Sequence, residues 1–225
     1  MSKSSYKSIK IDEVVQIVKS RLSLFQPKRF HIKGIKNAAV IILLLAKEDI
    51  PHILFTKRTD LVETHKGQIS FPGGVSDPND VNLLATALRE TYEEVGIRPE
   101  IIEPLGQLDD FLTVTNFIIS PFTGFIKSDY SYNISHTEVA EVLEVPLSLF
   151  LDDHHFEIKK WDYKGIQYDV YFYYYGNHVI WGATGFILNR FIHTVFQYNP
   201  APNPVTEDPR NVHYFRENKK RKGSR

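Results

Sequence analysis

Glu90, Glu93 and Glu94 crowd three carboxylates into little more than one turn of a segment patterned as a helix, and Gly73 and Gly74 come shortly before it. At 3.6 residues per turn, Glu90 and Glu94 fall about 40° apart around the axis and Glu90 and Glu93 about 60°. The three therefore share one patch, although like charges at i, i+4 destabilise a helix by roughly 0.2–0.5 kcal/mol per pair. A hard divalent cation, Mg²⁺ or Mn²⁺, would offset that repulsion. Such ions take oxygen ligands from a few carboxylates, from water and from a substrate's phosphates. The plainer alternative is a solvated charged face on which Arg89 softens the repulsion, and the glutamates alone favour it. Asp77, Pro78, Asn79 and Asp80 mark the start of the helix and Gly96 its stop. Leu84, Leu88 and Val95 make an apolar stripe from which the glutamates are expected to point away.

The joint spacing changes that balance. Gly74, Asp80, Arg89, Glu90, Glu93, Glu94 and Gly96 follow the order glycine, five residues, an acid, Arg-Glu, a pair, Glu-Glu, one residue, glycine. This resembles the Nudix box of metal-dependent pyrophosphohydrolases, with two departures: Asp80 stands in place of glutamate, and one extra residue separates it from Arg89. Both departures resemble the coenzyme A pyrophosphatase branch. So does an upstream motif carried by Leu54, Phe55, Thr56, Arg58, His65, Gly67, Phe71, Pro72, Gly73 and Gly74. Thr59 replaces the branch's usual serine or alanine, and Glu63 replaces an arginine, reversing a charge that Lys57 or Lys66 is available to restore.

The resemblance implies an α/β (α+β) fold, a Nudix-type α/β/α sandwich with a mixed β-sheet. It implies Glu90 and Glu94 as metal ligands, with Glu93 and the backbone carbonyl of Gly74 completing the set. Glu93 and Glu138 are the candidates for general base, and the resemblance leaves the choice open. Arg58 and Lys57 are placed to meet substrate phosphates, with Gly73 and Gly74 giving the backbone close access. Arg89, Asp80 and Gly96 support the site, and Gln68 and His65 are candidates for positioning the glycine loop. The implied reaction splits coenzyme A or its thioesters into adenosine 3′,5′-bisphosphate and a 4′-phosphopantetheine product. Glu63 keeps open another nucleoside diphosphate derivative, ADP-ribose or a dinucleoside polyphosphate. A Nudix-like module that binds a nucleotide without cutting it is the third reading, against which the complete set of glutamates stands.

The elements that must hold these residues are legible as patterns. Val14, Val15, Val18, Leu22 and Phe25 predict an amphipathic helix over 11–25, and Ile187, Leu188, Phe191, Ile192 and Val195 another over 181–196. Strands are expected at 38–46, 52–58, 105–113, 117–126, 156–163 and 166–175, the last two joined through Lys164 and Gly165. Tyr168 and the aromatic run from Tyr171 to Tyr175 read as sheet packing, and Asp152 to His155 as a solvated turn. Residues 1–35 are expected to be an N-terminal extension whose helix packs on the core, 36–198 the catalytic domain, and 199–225 a disordered basic tail.

Composition bounds the rest. The chain has 225 residues, 42% of them hydrophobic, enough for one good core. Its 27 basic residues equal its 27 acidic ones, so no overall field draws it to nucleic acid or an anionic membrane. It has no cysteine, which excludes disulfides and thiolate chemistry. No apolar run reaches the roughly 20 residues of a membrane helix, and no signal peptide is visible. A cytoplasmic enzyme acting on a small nucleotide is expected, its oligomeric state open with a homodimer among the options.

Overall fold

The central strand is explained by its composition. β1 (Lys36–Lys47) is almost wholly apolar and is buried on both faces, as an interior strand must be. Its alternation sends Ala39, Ile41, Leu43 and Leu45 into one core cluster and Ile42 and Leu44 into another, on the opposite face. Glu48 and Asp49, at φ 49° and 64°, form a two-residue turn into β2 (Ile50–Arg58), with Lys47 opposite Ile50. Two consecutive left-handed residues match the right-handed twist of the flanking strands.

The computed structural model describes residues 9–60, 67–163 and 165–200. Glu63, His65, Lys66, Lys164 and the basic tail from residue 201 onward lie outside the described residues. The remaining elements in chain order are α1 (Ile11–Ser23) ahead of β1, then β3 (Ile69–Ser70), β4 (Gly73–Val75), α2 (Leu83–Val95), β5 (Ile102–Gln107) and β6 (Phe111–Leu112). There follow β7 (Phe117–Ile126), β8 (Val139–Pro146), β9 (Phe156–Tyr163), β10 (Ile166–Tyr175), β11 (His178–Ile180) and α3 (Gly182–Phe196).

The main sheet has eight strands ordered β3-β2-β1-β7-β5, with β4 on β1, β6 on β7 and β8 on β2. The β1–β7 pair is parallel and its other pairs are antiparallel, so the sheet is mixed. α1 and α3 cover one face through Val14, Val18, Leu22, Leu188, Phe191 and Ile192. α2 covers the other through Ala87 and Val95. The result is the expected α/β/α sandwich. β9, β10 and β11 form a separate three-stranded antiparallel sheet. No described helix is long and apolar enough to cross a membrane.

Two expectations need correction. The strand expected over 105–113 is two strands, β5 and β6, interrupted at 108–110. There Asp109 accepts from Lys28 N, and Asp110 from Phe30 N and Arg29 Nη1. Asp109 and Asp110 are thus held by a segment about eighty residues away, while Leu108 N still donates to Pro121 O of β7. The helix marked to begin near Asp77 begins at Leu83, with Asn82 as its cap: Asn82 Oδ1 accepts from Ala85 N at 2.9 Å. Asp77 to Asp80 is instead a turn, closed by Asp80 N donating to Asp77 O and by Asn79 N donating to Asp77 Oδ1.

Candidate active site

β4 fits between β1 and α2 because two of its residues have no side chain. Gly74 lies opposite Ala39 and Gly73 opposite Val40 in the β1–β4 pair. A Cβ on Gly73 would sit 2.2 Å from the carbonyl oxygen of Ala39, and φ there is 144°. A Cβ on Gly74 would sit 2.4 Å from the carboxyl carbon of Glu90. Glycine at both positions permits these approaches without displacing a neighbour.

Close packing here turns Glu94 inward. Its residue exposure is 3%, and its Oε2 accepts from the Gly73 N–H at 3.4 Å. This corrects the expected geometry, in which Leu84, Leu88 and Val95 formed the buried stripe and all three glutamates turned away. The buried residues of α2 are Thr86, Ala87, Thr91, Glu94 and Val95, while Leu84 and Leu88 are only partly buried against the core. Glu90 is mostly buried beside Gly74, whereas Glu93 faces solvent with 56% of its side chain exposed.

Arg89 ties this turn together. Its Nε and Nη2 donate to the two carboxylate oxygens of Asp80 at 2.9 and 3.0 Å. Its Nη1 donates to Glu90 Oε1 at 2.9 Å and Glu93 Oε2 at 3.0 Å, and its Nη2 also reaches Val75 O at 3.2 Å. Asp80 is fixed further by Thr86 Oγ1 and Asp77 N, both at 2.8 Å. The Arg89 guanidinium holds the Asp80 carboxyl well below the usual range, and Asp80 in turn raises Arg89.

Burial acts oppositely on the inner pair. It pushes Glu94 up to about 8, against the pull of the Gly73 N–H and the Arg58 charge, with Glu90 and Glu138 adding repulsion. Burial also raises Glu90, partly countered by Arg89. For both groups desolvation leads, outweighing the nearby donors and positive charge and disfavouring the ionised form in the absence of a cation. Among the described residues no three acidic or histidine groups already converge as a cage, and Arg89 bonds both Glu90 and Glu93. The donors nonetheless fit a hard divalent cation: two crowded, raised carboxylates, a third one turn away and a glycine carbonyl.

Sequence spacing alone missed how Glu138 arrives. The loop before β8 binds the end of α2, with Asn133 N donating to Val95 O and Ser135 N to Glu94 O, both at 2.9 Å. Glu138, exposed at the end of that loop, is near enough for its charge to act on both Glu90 and Glu94. Thr86, which locks Asp80, was also missed, since one threonine on a helix gives no signal. Gly96 ends α2 at φ 77°, where a Cβ would meet Asn133.

Arg58 and Lys57 separate. Arg58 acts electrostatically on Glu94, and its Nε is buried with no hydrogen-bond partner among the described residues. Lys57 alternates with Phe55 toward the other face and lies 3.7 Å from Glu141 Oε2. Gln68 O accepts from Arg58 N at 3.0 Å, which fixes the strand end.

Comparison with known proteins settles the family. A NUDIX domain profile matches residues 35–163. The chain belongs to the Nudix family. It is 39% identical over 175 residues to the uncharacterized Nudix hydrolase NudL of Enterobacter sp. (strain 638), covering 76% of this chain and 89% of that protein. It is 37% identical over 172 residues to NudL of Photorhabdus laumondii, covering 75% and 89%. The Nudix domain of Shewanella oneidensis NrtR, solved with ADP ribose, aligns at 23% identity and TM-score 0.43 over 57% of this chain and 82% of that one. This Nudix chain is therefore a pyrophosphohydrolase, of a family that works with divalent metal ions and small nucleotide-derived substrates.

Proposed function

We propose that this Nudix hydrolase cuts the diphosphate of coenzyme A or acyl-coenzyme A, giving adenosine 3′,5′-bisphosphate and a 4′-phosphopantetheine product, with Mg²⁺ or Mn²⁺. The carrying observation is the long interval from Asp80 to Arg89, which resembles the coenzyme A branch together with the motif from Leu54 to Gly74. The bidentate Asp80–Arg89 pair closes that longer interval and is compatible with this reading.

Glu90 and Glu94 would hold the cation, with Glu93 and the Gly74 carbonyl as further donors. A divalent ion supplies neutralisation of the diphosphate and acidification of water. The protein's own groups do the rest. Arg89 orients Glu90 and Glu93 through charge-assisted hydrogen bonds. Arg58, whose buried Nε has no partner among the described residues, binds a phosphate oxygen as the substrate enters. Attack by water forms one P–O bond, and the bridging oxygen leaves with its electron pair on the other phosphate. The water's proton passes to a carboxylate, Glu93 or Glu138, both of which face solvent.

Glu63, acidic where the branch has arginine, favours as the second reading a different nucleoside diphosphate derivative, ADP-ribose or a dinucleoside polyphosphate. Turnover of coenzyme A, ADP-ribose and a dinucleoside polyphosphate, compared as kcat/KM with Mg²⁺ and with Mn²⁺, decides between the two. Faster cleavage of coenzyme A supports the proposal; much faster cleavage of either competitor ends it.

A further inference from the structure

The three-stranded sheet leaves one edge open. Among the described residues β9 pairs with β10 alone, so the outer edge of Phe156–Tyr163 carries backbone donors and acceptors with no strand partner. The strand has eight residues, none of them proline or glycine. An edge of this kind is a template for another strand, and proteins commonly blunt such edges with lysine. Lys159 and Lys160 are placed to do so, yet neither acts as a free charge. Lys159 Nζ lies 2.9 Å from Glu157 Oε2, and Lys160 pairs with Asp169.

Among the described residues the face beside this edge is rich in aromatics. Tyr171 and Tyr173 turn into the core, which sends Phe172 and Tyr174 to the outer side. There Trp161 and Trp181 stack at 5.7 Å and 20°, and Trp181 and Phe172 at 5.9 Å and 0°. Both tryptophans of the chain sit in this stack, and Trp161 is 48% exposed.

We propose that β9 pairs antiparallel with β9 of a second copy of this chain, joining the two small sheets across a two-fold axis at Ile158. The charges choose both occupant and register. With Ile158 on the axis, Glu157 of each copy stands directly opposite Lys159 of the other, so the same attractive pair forms twice. A slip of one residue would reverse the faces, and a slip of two would set Lys159 against Lys159. A strand of a different protein would find the same open edge but not this reciprocity, which belongs to isologous contacts. The pairing covers Phe156 to Lys160 of each open edge, and Trp161 falls just past its end. β9 lies outside the sheet that carries Gly73, Gly74 and the strands under α2, so turnover per chain is independent of it.

Light scattering during size-exclusion chromatography of the full chain, over a wide concentration range, tests this. The wild type is expected to run as a dimer that dissociates on dilution, with tryptophan emission changing along the same curve. Lys159→Glu should weaken the dimer at least about tenfold, as two attractive pairs become repulsive. The double exchange Glu157→Lys with Lys159→Glu should restore it, with kcat unchanged in all three proteins. Monomer mass at every concentration, a Lys159→Glu dimer as tight as wild type, or failure of the double exchange to recover would each overturn the proposal.

Discussion

Arg89 grips Asp80 with two parallel hydrogen bonds, from Nε at 2.9 Å and Nη2 at 3.0 Å, while its third nitrogen spans Glu90 and Glu93. A residue nine positions upstream thereby sets where two box carboxylates stand. The planar guanidinium fork makes this possible, since a lysine would offer one point charge without fixed directions. Asp80 itself is rigid, held by Thr86 and Asp77, so it anchors Arg89 rather than following it.

Asp80→Asn should therefore act at a distance. The amide keeps the shape but gives up the charge and one acceptor, freeing Arg89 to pair more tightly with Glu90 and Glu93. Supporting partners of this type typically change metal affinity about 10- to 100-fold. A Mn²⁺ titration should show affinity weakened within that range, with kcat at saturating metal falling less. Unchanged affinity would show that Asp80 matters to the turn alone.

Glu94 gives a pH signature. Burial raises its folded value to about 8 from an ordinary 4.5, so the folded protein binds that proton more tightly than the unfolded chain does. The stability it contributes is fully present below about 4.5 and is lost as pH rises through 8. In EDTA the folding stability should decline across that window by a few kcal/mol at most, given about 1.4 kcal/mol per pKa unit, and the melting temperature should fall with it. Added Mg²⁺ should reverse the decline, because a ligand of the folded state stabilises by about 2.7 kcal/mol at a hundred times its Kd. Glu94→Gln should flatten the EDTA profile, keep the fold and abolish metal-dependent turnover. A flat wild-type profile would contradict the burial argument.

Legibility in the sequence followed how local each cause is. β1 could be read because its alternation needs only its own residues, and Gly96 because a helix stop is a local event. Glu94 was misread for a physical reason: helical periodicity places it away from the Leu84–Leu88 stripe. Which side of α2 is buried depends on β4, three residues that pair with Ala38–Val40 and present Gly74 to the helix. The break between β5 and β6 likewise depends on Lys28 to Phe30, far off in sequence. Lys57 and Arg58 are neighbours in sequence, so their separation onto two faces follows from strand alternation beside the register shift between them.

Gly74→Ala tests the closeness of β4 and α2. The added methyl would meet the Glu90 carboxylate at 2.4 Å, and because Gly74 has no left-handed φ, the clash is with the side chain alone. Glu90 can swing away, so the protein should fold with a melting temperature only a few degrees lower. Turnover should fall by roughly 10- to 100-fold, since small displacements of catalytic groups cost that much. Gly73→Ala should be far worse for folding, because the clash there is with the backbone of Ala39 at 2.2 Å and φ is 144°. If the two variants lose stability equally, the distinction between side-chain and backbone contact fails.

Arg58 provides the sharpest separation of binding from chemistry. Its Nε is buried without a partner among the described residues, and a buried unsatisfied donor costs about 1–3 kcal/mol until something accepts from it. A phosphate oxygen of the substrate would recover that cost on binding. Arg58→Ala should thus raise KM about 10- to 100-fold, the range that one charge-assisted bond of roughly 1.5–3 kcal/mol represents. Arg58→Lys should recover only part of the loss, because it restores charge near Glu94 but not the directed N–H. Folded stability of Arg58→Ala should be close to wild type or slightly higher, since the orphan donor is gone. A stability loss with KM unchanged would instead make Arg58 a structural counter-charge for Glu94, and phosphate binding would have to be sought elsewhere.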